Sequence, residues 1–341
     1  MTLEARLESK DLISGPQNFL IAKPRGLCAG VARSLRAFDQ ALEKYPNQDL
    51  YSVGEPAHNT HINNRYKEKG IIFVDSVQKV PAGGKALLGP HGTEVEQIRQ
   101  AQERGLTVWD TTCPLVTKVE DEIISYTKQG MVTLYWGDRD HQEAKSAISC
   151  GDVILIASLD EALSDEVAKQ IEGKNGLAFA SQTTFNVDEA MTMEDKLREK
   201  YLNLVTPKTP DRCYATRHRQ AAVIEMIKRG ATKIGVLGSP GSSNSKRLFE
   251  VALENGADAV FFDSAELLDI EVFSNYETIG FVSGASVEED KFQEVVDKIR
   301  GRYNLEPQEV EVADESKIRF AKVKEVNYQP QFIYTSQTAL S

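Results

Sequence analysis

Twelve short apolar runs recur along the chain, separated by longer amphipathic stretches. They cover 18–24, 49–54, 70–75, 85–89, 106–110, 131–137, 152–158, 176–181, 202–206, 233–238, 257–263 and 278–283. Because they are apolar nearly throughout rather than alternating, they read as strands buried on both faces, the mark of parallel sheets. Between them, 29–45 sets Val31, Leu35, Phe38 and Leu42 at helical spacing. Segments 115–130 and 219–230 follow the same pattern, each ending at or near Gly. Strand–helix alternation of this kind predicts an α/β fold.

The alternation comes in triplicate. Cys28, Cys113 and Cys213 each follow a strand segment and precede a helix, 85 and 100 residues apart. Four strands per unit and three similar α/β units are expected, each presenting one Cys at the carboxyl end of a strand, where open α/β sheets bind ligands. The expected organisation is an N-terminal extension over 1–17, α/β domains over 18–112, 113–209 and 210–300, and a charged tail over 301–341 lying across the body. A length of 341 residues is sufficient for that many cores.

Several classes are excluded or disfavoured. No apolar run reaches the ~20 residues that span a bilayer, and residues 1–17 lack the apolar core of a signal peptide. A net charge of −11 argues against nucleic acid as a partner. Four Cys are too few for a disulfide scaffold, so cytoplasm is the expected compartment, where spaced Cys more often serve metal binding or catalysis.

A lone Cys is commonly a small buried hydrophobe, and Cys150, at a helix end before a strand, reads that way. Three Cys at equivalent strand-to-helix turns can instead converge. Three thiolates are the wrong number for a closed structural zinc site. They suit an iron–sulfur cluster with one iron left open as a Lewis acid.

Three of the five His sit near loops at strand ends. His58 lies in EPAHN, His91 in GPHG, and His141 with Glu143 in DHQE. Imidazoles donate to phosphate oxygens, and the Gly residues flanking His91 let backbone approach a ligand. His61 and His218 have no such context and read as surface residues. The loop GSPGSSNSKRL (238–248) offers Ser242, Ser243 and Asn244 with helix N-terminal amides as an anion site. VSGAS adds Ser286, and SQTT adds Thr183 and Thr184 at another strand end. Three thiolates, three His, one Glu and a ring of hydroxyl donors fit a small phosphorylated substrate held over a metal cluster. Glu143 is the natural proton donor for a step that expels water.

The segments PRGLCAGV, PHGTE, DTTCPLVTKV, HQE, SQTT, CYATRHRQ, SSNSKRL and SGAS run in that order over residues 19–300, and together they resemble the LytB/IspH family of 4-hydroxy-3-methylbut-2-enyl diphosphate reductases. The resemblance implies three α/β domains in a trefoil around a central [4Fe–4S] cluster, with strand 18–24 joining the third. It implies removal of an allylic hydroxyl by two electrons and two protons, giving isopentenyl and dimethylallyl diphosphates in the last step of the non-mevalonate pathway. Cys28, Cys113 and Cys213 match the cluster ligands, and the substrate alkoxide is expected on the open iron. His58, His91, His141, Ser242, Ser243, Asn244 and Ser286 match diphosphate contacts. Glu143 and Thr183 match the proton-relay pair, with Thr184 adjacent and His141 beside them.

Two places depart from the family pattern. Asp138, Arg139 and Asp140 stand where members often carry a second His, and Pro90 precedes His91 where a small residue is usual. The sequence carries no flavin or dinucleotide signature, so electrons are expected from outside, and the resemblance implies ferredoxin or flavodoxin as donor; a monomer is the default expectation. Two alternatives remain: a paralogue acting on another allylic or phosphorylated compound, and a non-catalytic cluster-based redox or phosphometabolite sensor. The Glu143–Thr183 pair speaks against the sensor, since binding alone needs no proton donor.

Overall fold

The structure, a computed structural model, describes residues 15–207 and 212–328. In chain order the strands are β1 (Asn18–Lys23), β2 (Leu50–Val53), β3 (Ile71–Val74), β4 (Lys85–Leu88), β5 (Thr107–Asp110), β6 (Met131–Trp136), β7 (Val153–Ile156), β8 (Gly176–Ser181), β9 (Leu204–Val205), β10 (Lys233–Leu237), β11 (Asp258–Phe262), β12 (Thr278–Ser283), β13 (Gln308–Glu311) and β14 (Glu325–Asn327). The helices are α1 (Ala29–Lys44), α2 (Thr60–Glu68), α3 (Val95–Glu103), α4 (Pro114–Lys128), α5 (Gln142–Ser149), α6 (Leu159–Ala162), α7 (Asp165–Ile171), α8 (Val187–Lys200), α9 (Tyr214–Lys228), α10 (Ser243–Glu254) and α11 (Glu289–Tyr303). All twelve apolar runs contain a strand; burial on both faces holds for inner strands such as β1, β6, β8, β10 and β12, while the edge strands β3, β7 and β11 are only partly buried. No helix among the described residues is long and apolar enough to cross a membrane.

The chain divides into two compact units. One comprises residues 15–27 together with Ala215–Lys317. Its sheet has the order β11-β10-β12-β1-β13 and is parallel throughout. Strand β1 is buried on both faces. Phe19 and Ile21 pack with Phe281, Phe292 and Val295, while Leu20 and Ala22 pack with Val223, Met226 and Leu248. Phe281 is fully buried at the centre, meeting Phe273 at 4.8 Å, Phe19 at 5.5 Å and Phe262 at 6.3 Å between ring centroids.

The other unit comprises the described residues of Cys28–Tyr214 and residues 318–328. It holds two sheets, β14-β5-β4-β2-β3 and β7-β6-β8-β9, parallel except for β14, which runs antiparallel to β5. The protein is therefore an α/β fold, with three mostly parallel sheets, of five, five and four strands, among the described residues.

The expectation of four strands in every sheet needs correcting, because β13 and β14 lie beyond residue 300 where the apolar alternation stops. Each is an edge strand with few buried residues, so its composition is polar. In β13 only Val310 is buried, and Lys23 reaches Glu309 at 3.2 Å and Glu311 at 3.4 Å. In β14 the Glu325 carboxylate accepts from Lys44 at 2.7 Å and from the Tyr45 hydroxyl at 3.1 Å.

Truncating Phe281 to Ala is expected to destabilise its unit by roughly 3–5 kcal/mol, the range for a large aromatic removed from a packed core. Urea denaturation would read this as a lower midpoint with an unchanged slope.

Candidate functional site

Every sequence-selected residue of the larger unit lies at the carboxyl end of a strand or in the turn that opens the next helix. Cys28 is the N-cap of α1, and its sulfur accepts from the Val31 amide at 3.4 Å. Cys113 is the N-cap of α4, with Pro114 at the first helical position, where a missing N–H costs nothing. Cys213 immediately precedes α9.

Several contacts gather these turns. A Cβ on Gly30 would stand 2.9 Å from the Cys113 sulfur and 3.8 Å from that of Cys28. Only a hydrogen fits there, so Gly30 forms a cradle between the two sulfurs. The Tyr214 hydroxyl, next in sequence to Cys213, accepts from the Ala29 amide at 2.8 Å. The Cys213 amide donates to the Thr183 carbonyl at 2.9 Å, and the Cys113 amide to the Pro90 carbonyl at 2.9 Å. Arg33 donates to the carbonyls of Thr111 and Thr112, both at 3.0 Å, and so fixes the turn before Cys113. Burial first, and then the sulfurs of Cys213 and Cys28, push the Cys113 thiol up to about 12. Among the described residues, no group of three or more His, Cys, Asp and Glu is arranged around a single metal ion.

Three imidazoles cluster in the same unit. His58 stacks on His91 at 3.8 Å between centroids and 13° between planes. His141 meets them edge-on at 5.2 and 5.7 Å. Burial, then His58 and His141, hold His91 well below the ordinary imidazole range. The Nδ1 of His141 accepts from the Glu143 amide at 3.2 Å, so a neutral His141 presents its Nε2–H as a donor. Glu55 lies 3.3 Å from His58 Nδ1, and this contact holds its carboxyl below the usual range. His58 and His91 face a cavity of about 400 Å³ that also bears Gly54, Gly89, Thr93 and Lys145.

Glu143, on the first turn of α5, is 2% exposed. Its two carboxyl oxygens accept from the Thr183 amide at 2.7 Å and the Thr183 hydroxyl at 3.1 Å. Burial is the largest influence on it and outweighs both hydrogen bonds, raising its pKa to about 7. A carboxyl with that pKa can give or take a proton at neutral pH. Thr184 is separately engaged, accepting from the Gln182 side chain at 3.0 Å.

The smaller unit carries the second polar cluster. Ser242 caps α10, accepting from the Ser245 amide at 3.3 Å. Asn244 donates to Thr216 at 2.9 Å and accepts from the Ala285 amide at 2.9 Å, tying the start of α10 to the turn after β12. Ser286 lies in that turn, buried like Ser242 and Asn244, while Ser243 is half-buried. The loop is thus internally braced.

Two residues were missed that help shape the site. Gln182 is fully buried and accepts from the Asp138 amide at 3.1 Å, fastening the HQE loop to the end of β8. Tyr214 braces the Cys28 turn. Both lie inside the motifs SQTT and CYAT, but nothing in their residue type announced a bracing role. His61 is exposed, as read. His218 is not a plain surface residue: it pairs with Glu315 at 3.0 Å, which also takes the fully buried Arg219 at 3.2 Å. Cys150 ends α5 and donates to the Ser146 carbonyl at 3.3 Å, within an apolar cluster.

A family model described as LytB protein matches residues 19–300. A 4-hydroxy-3-methylbut-2-enyl diphosphate reductase of Leifsonia xyli is 38% identical over 317 residues, 92% of each chain. One of the same description from Tropheryma whipplei is 41% identical, over 79% of this chain and 85% of its own. Among solved structures, the E-1-hydroxy-2-methyl-but-2-enyl-4-diphosphate reductase of Plasmodium falciparum superposes with a TM-score of 0.83 over 90% of this chain and 96% of its own, at 24% identity, a likeness of fold.

The buried Glu143 carboxyl has a consequence for stability. With a folded pKa of about 7 against an ordinary 4.5, its favourable contribution is fully present below 4.5 and is lost as pH rises through 7. Glu143→Gln is therefore expected to stabilise the protein at pH 8, by up to about 3 kcal/mol. The gain should vanish toward pH 4.5. Paired thermal melts at the two pH values check this.

Proposed function

The chain belongs to the LytB protein family, and we propose that it is a 4-hydroxy-3-methylbut-2-enyl diphosphate reductase, forming isopentenyl and dimethylallyl diphosphates in the last step of the non-mevalonate pathway. The observation that carries this reading is the Glu143 carboxyl, buried, bonded twice by Thr183 and poised near neutrality beside three clustered imidazoles. Relatives of closely similar length bear this name.

Cys28, Cys113 and Cys213 would hold a [4Fe–4S] cluster. The donor set suits it: the three residues stand at gathered helix starts, with the glycine cradle at Gly30 set between the sulfurs of Cys28 and Cys113. In such a cluster each thiolate binds a different iron, so the sulfurs need not share one focus. The cluster, when bound, supplies one-electron transfer and a Lewis-acidic iron; the electrons come from a ferredoxin or flavodoxin.

The remaining chemistry falls to side chains. His58, His91 and His141 bind the diphosphate. Mutual repulsion and burial hold His91 neutral beforehand, and an arriving polyanion offsets that repulsion. Ser242, Ser243, Asn244 and Ser286 offer hydroxyl and amide groups suited to an anion, and Thr184 stands beside Thr183. Glu143 delivers the proton that lets the allylic hydroxyl leave as water. Thr183 holds the carboxyl in place and keeps part of it ionised for the return proton. Burial of Glu143 excludes solvent from this transfer.

Protein purified without oxygen should contain iron and sulfide and absorb broadly near ~400 nm, where Fe–S charge transfer lies. With reduced dye as donor it should turn over the diphosphate, and Glu143→Gln should cut kcat by roughly 10²–10⁴, the scale of general acid catalysis. Turnover by the Gln variant equal to wild type would remove Glu143 from the reaction.

Gly30→Ala gives an independent check. Its Cβ would collide with the Cys113 sulfur, so iron and sulfide content should fall while the fold persists by circular dichroism.

A further inference from the structure

Four residues, Pro24 to Leu27, carry the chain from β1 to Cys28. Two arginines hold them. Arg25 donates to Glu289 at 2.7 Å and to Glu309 at 2.8 Å. Arg219, on α9, donates from Nη2 to the Gly26 carbonyl at 2.8 Å and from Nη1 to the Ala215 carbonyl at 3.1 Å. Gly26 stands two residues before Cys28, and Ala215 two residues after Cys213. The φ of Gly26 is +76°, in the region open to glycine. A glycine has wide backbone freedom, so its carbonyl needs an outside partner to hold one direction.

Arg219 is fully buried. A charge so placed needs a partner of opposite sign, and the carboxylate that meets it is Glu315, whose two oxygens accept from Nη1 at 3.2 and 3.4 Å. His218 Nδ1 lies 3.0 Å from the same carboxylate. Glu315 is delivered by the edge of the sheet. Strand β13 pairs with β1, the Val312 amide continues that pairing onto the Lys23 carbonyl at 3.0 Å, and Asp314 accepts from the Ser316 amide at 2.8 Å in the turn that carries Glu315. Gly26, Arg219 and Glu315 all belong to the smaller unit. Glu315 lies beyond the 19–300 span of the LytB match. Stability alone does not account for the pair, because apolar side chains of similar volume commonly hold a core as well as a buried ion pair does. The guanidinium fork, in contrast, can fix two carbonyls and a carboxylate at once.

We propose that Arg219 and Glu315 are positioning residues for the cluster: Arg219 fixes the Gly26 carbonyl, and with it the backbone entering Cys28, while Glu315 holds the guanidinium to that task. The inference rests on the reductase reading, which gives Cys28 an iron to bind. Neither residue touches the cluster; both act through two residues of main chain. A ligand held by its backbone keeps its sulfur in place when the iron is absent or exchanging, and that pre-organisation slows cluster loss. The segment after β13 is thereby part of what retains the cluster.

The test compares wild type with Glu315→Gln, Arg219→Lys and the apolar double variant Arg219→Met with Glu315→Leu, each as the cluster-loaded full chain. Three readouts are taken: the thermal melt, the decay of the cluster absorption in EDTA, and the rate at which iodoacetamide labels Cys28, with Cys113 in the same chain as internal standard. Glu315→Gln and Arg219→Lys should speed cluster decay and raise the Cys28-to-Cys113 labelling ratio, each at least roughly tenfold, a modest part of what breaking a buried pair costs. The double variant should melt near wild type, since no charge is left buried, yet its Cys28 labelling and cluster decay should stay fast. A pair that served stability alone would give the opposite: the double variant would restore Cys28 protection along with the melt. That result, or Cys113 labelling that rises in step with Cys28, would overturn the proposal. Should the double variant not fold, Glu315→Gln decides alone, and an unchanged labelling ratio in it sinks the idea. A wild-type chain that takes up no iron would instead overturn the reductase reading, and the labelling ratio of the chain as purified would still decide whether Glu315 acts on Cys28.

Discussion

Parallel strand direction is the constraint from which the rest of the larger unit follows. When strands run the same way, every strand-to-helix turn opens at the same edge of its sheet, and each turn exposes helix N-terminal amides with one or two side chains. Cys28, Cys113, His141 and Glu143 all occupy such positions, three as N-caps and one in a first turn. The turns are then stitched by main-chain and side-chain bonds that cross between elements: Cys113 to Pro90, Cys213 to Thr183, Ala29 to Tyr214. The thiols and the acid–base pair are therefore fixed by backbone geometry rather than by flexible side-chain contacts, which suits chemistry sensitive to small displacements.

That geometry is held at some cost to stability. A carboxyl removed from water, three imidazoles packed against one another and a fully buried phenol all lie within one unit. Each opposes folding when charged or unpaired. The compensation is visible in the layers beneath them. Val132, Leu134 and Phe179 on one side, and Val108, Ala86 and Leu88 on another, are buried almost completely. Strain at functional positions carried by an otherwise consistent fold is the usual arrangement.

The sheets were legible because burial on both faces leaves a continuous apolar run, and continuous runs survive without knowledge of partners. The edge strands β13 and β14 were not, since one buried residue in a polar segment such as QEVE gives no such run. In the site, residue types that are rare and spaced, the three Cys and the loop His, were readable. Residues that act by bracing were not. Gln182 and Tyr214 matter through the single bond each makes across the fold, and sequence spacing does not carry that.

The loop 138–140 shows how a departure from family pattern can be absorbed locally. Two acids near a bound diphosphate would repel it unless they point away or pair with Arg139. Arg139 pairs with Glu161 instead. Asp138 is occupied otherwise: its carboxylate accepts from the Asp140 amide at 3.1 Å, closing a tight turn, while its own amide is held by Gln182. All three side chains are exposed, and none lines the cavity that His58 and His91 face. Water and salt screen such charges within about 10 Å. The same turn delivers His141 at the N-cap of α5, and Glu143 two residues later. The acids thus serve the geometry of the loop, and in the proposed function the donors that meet the substrate are supplied by the histidines.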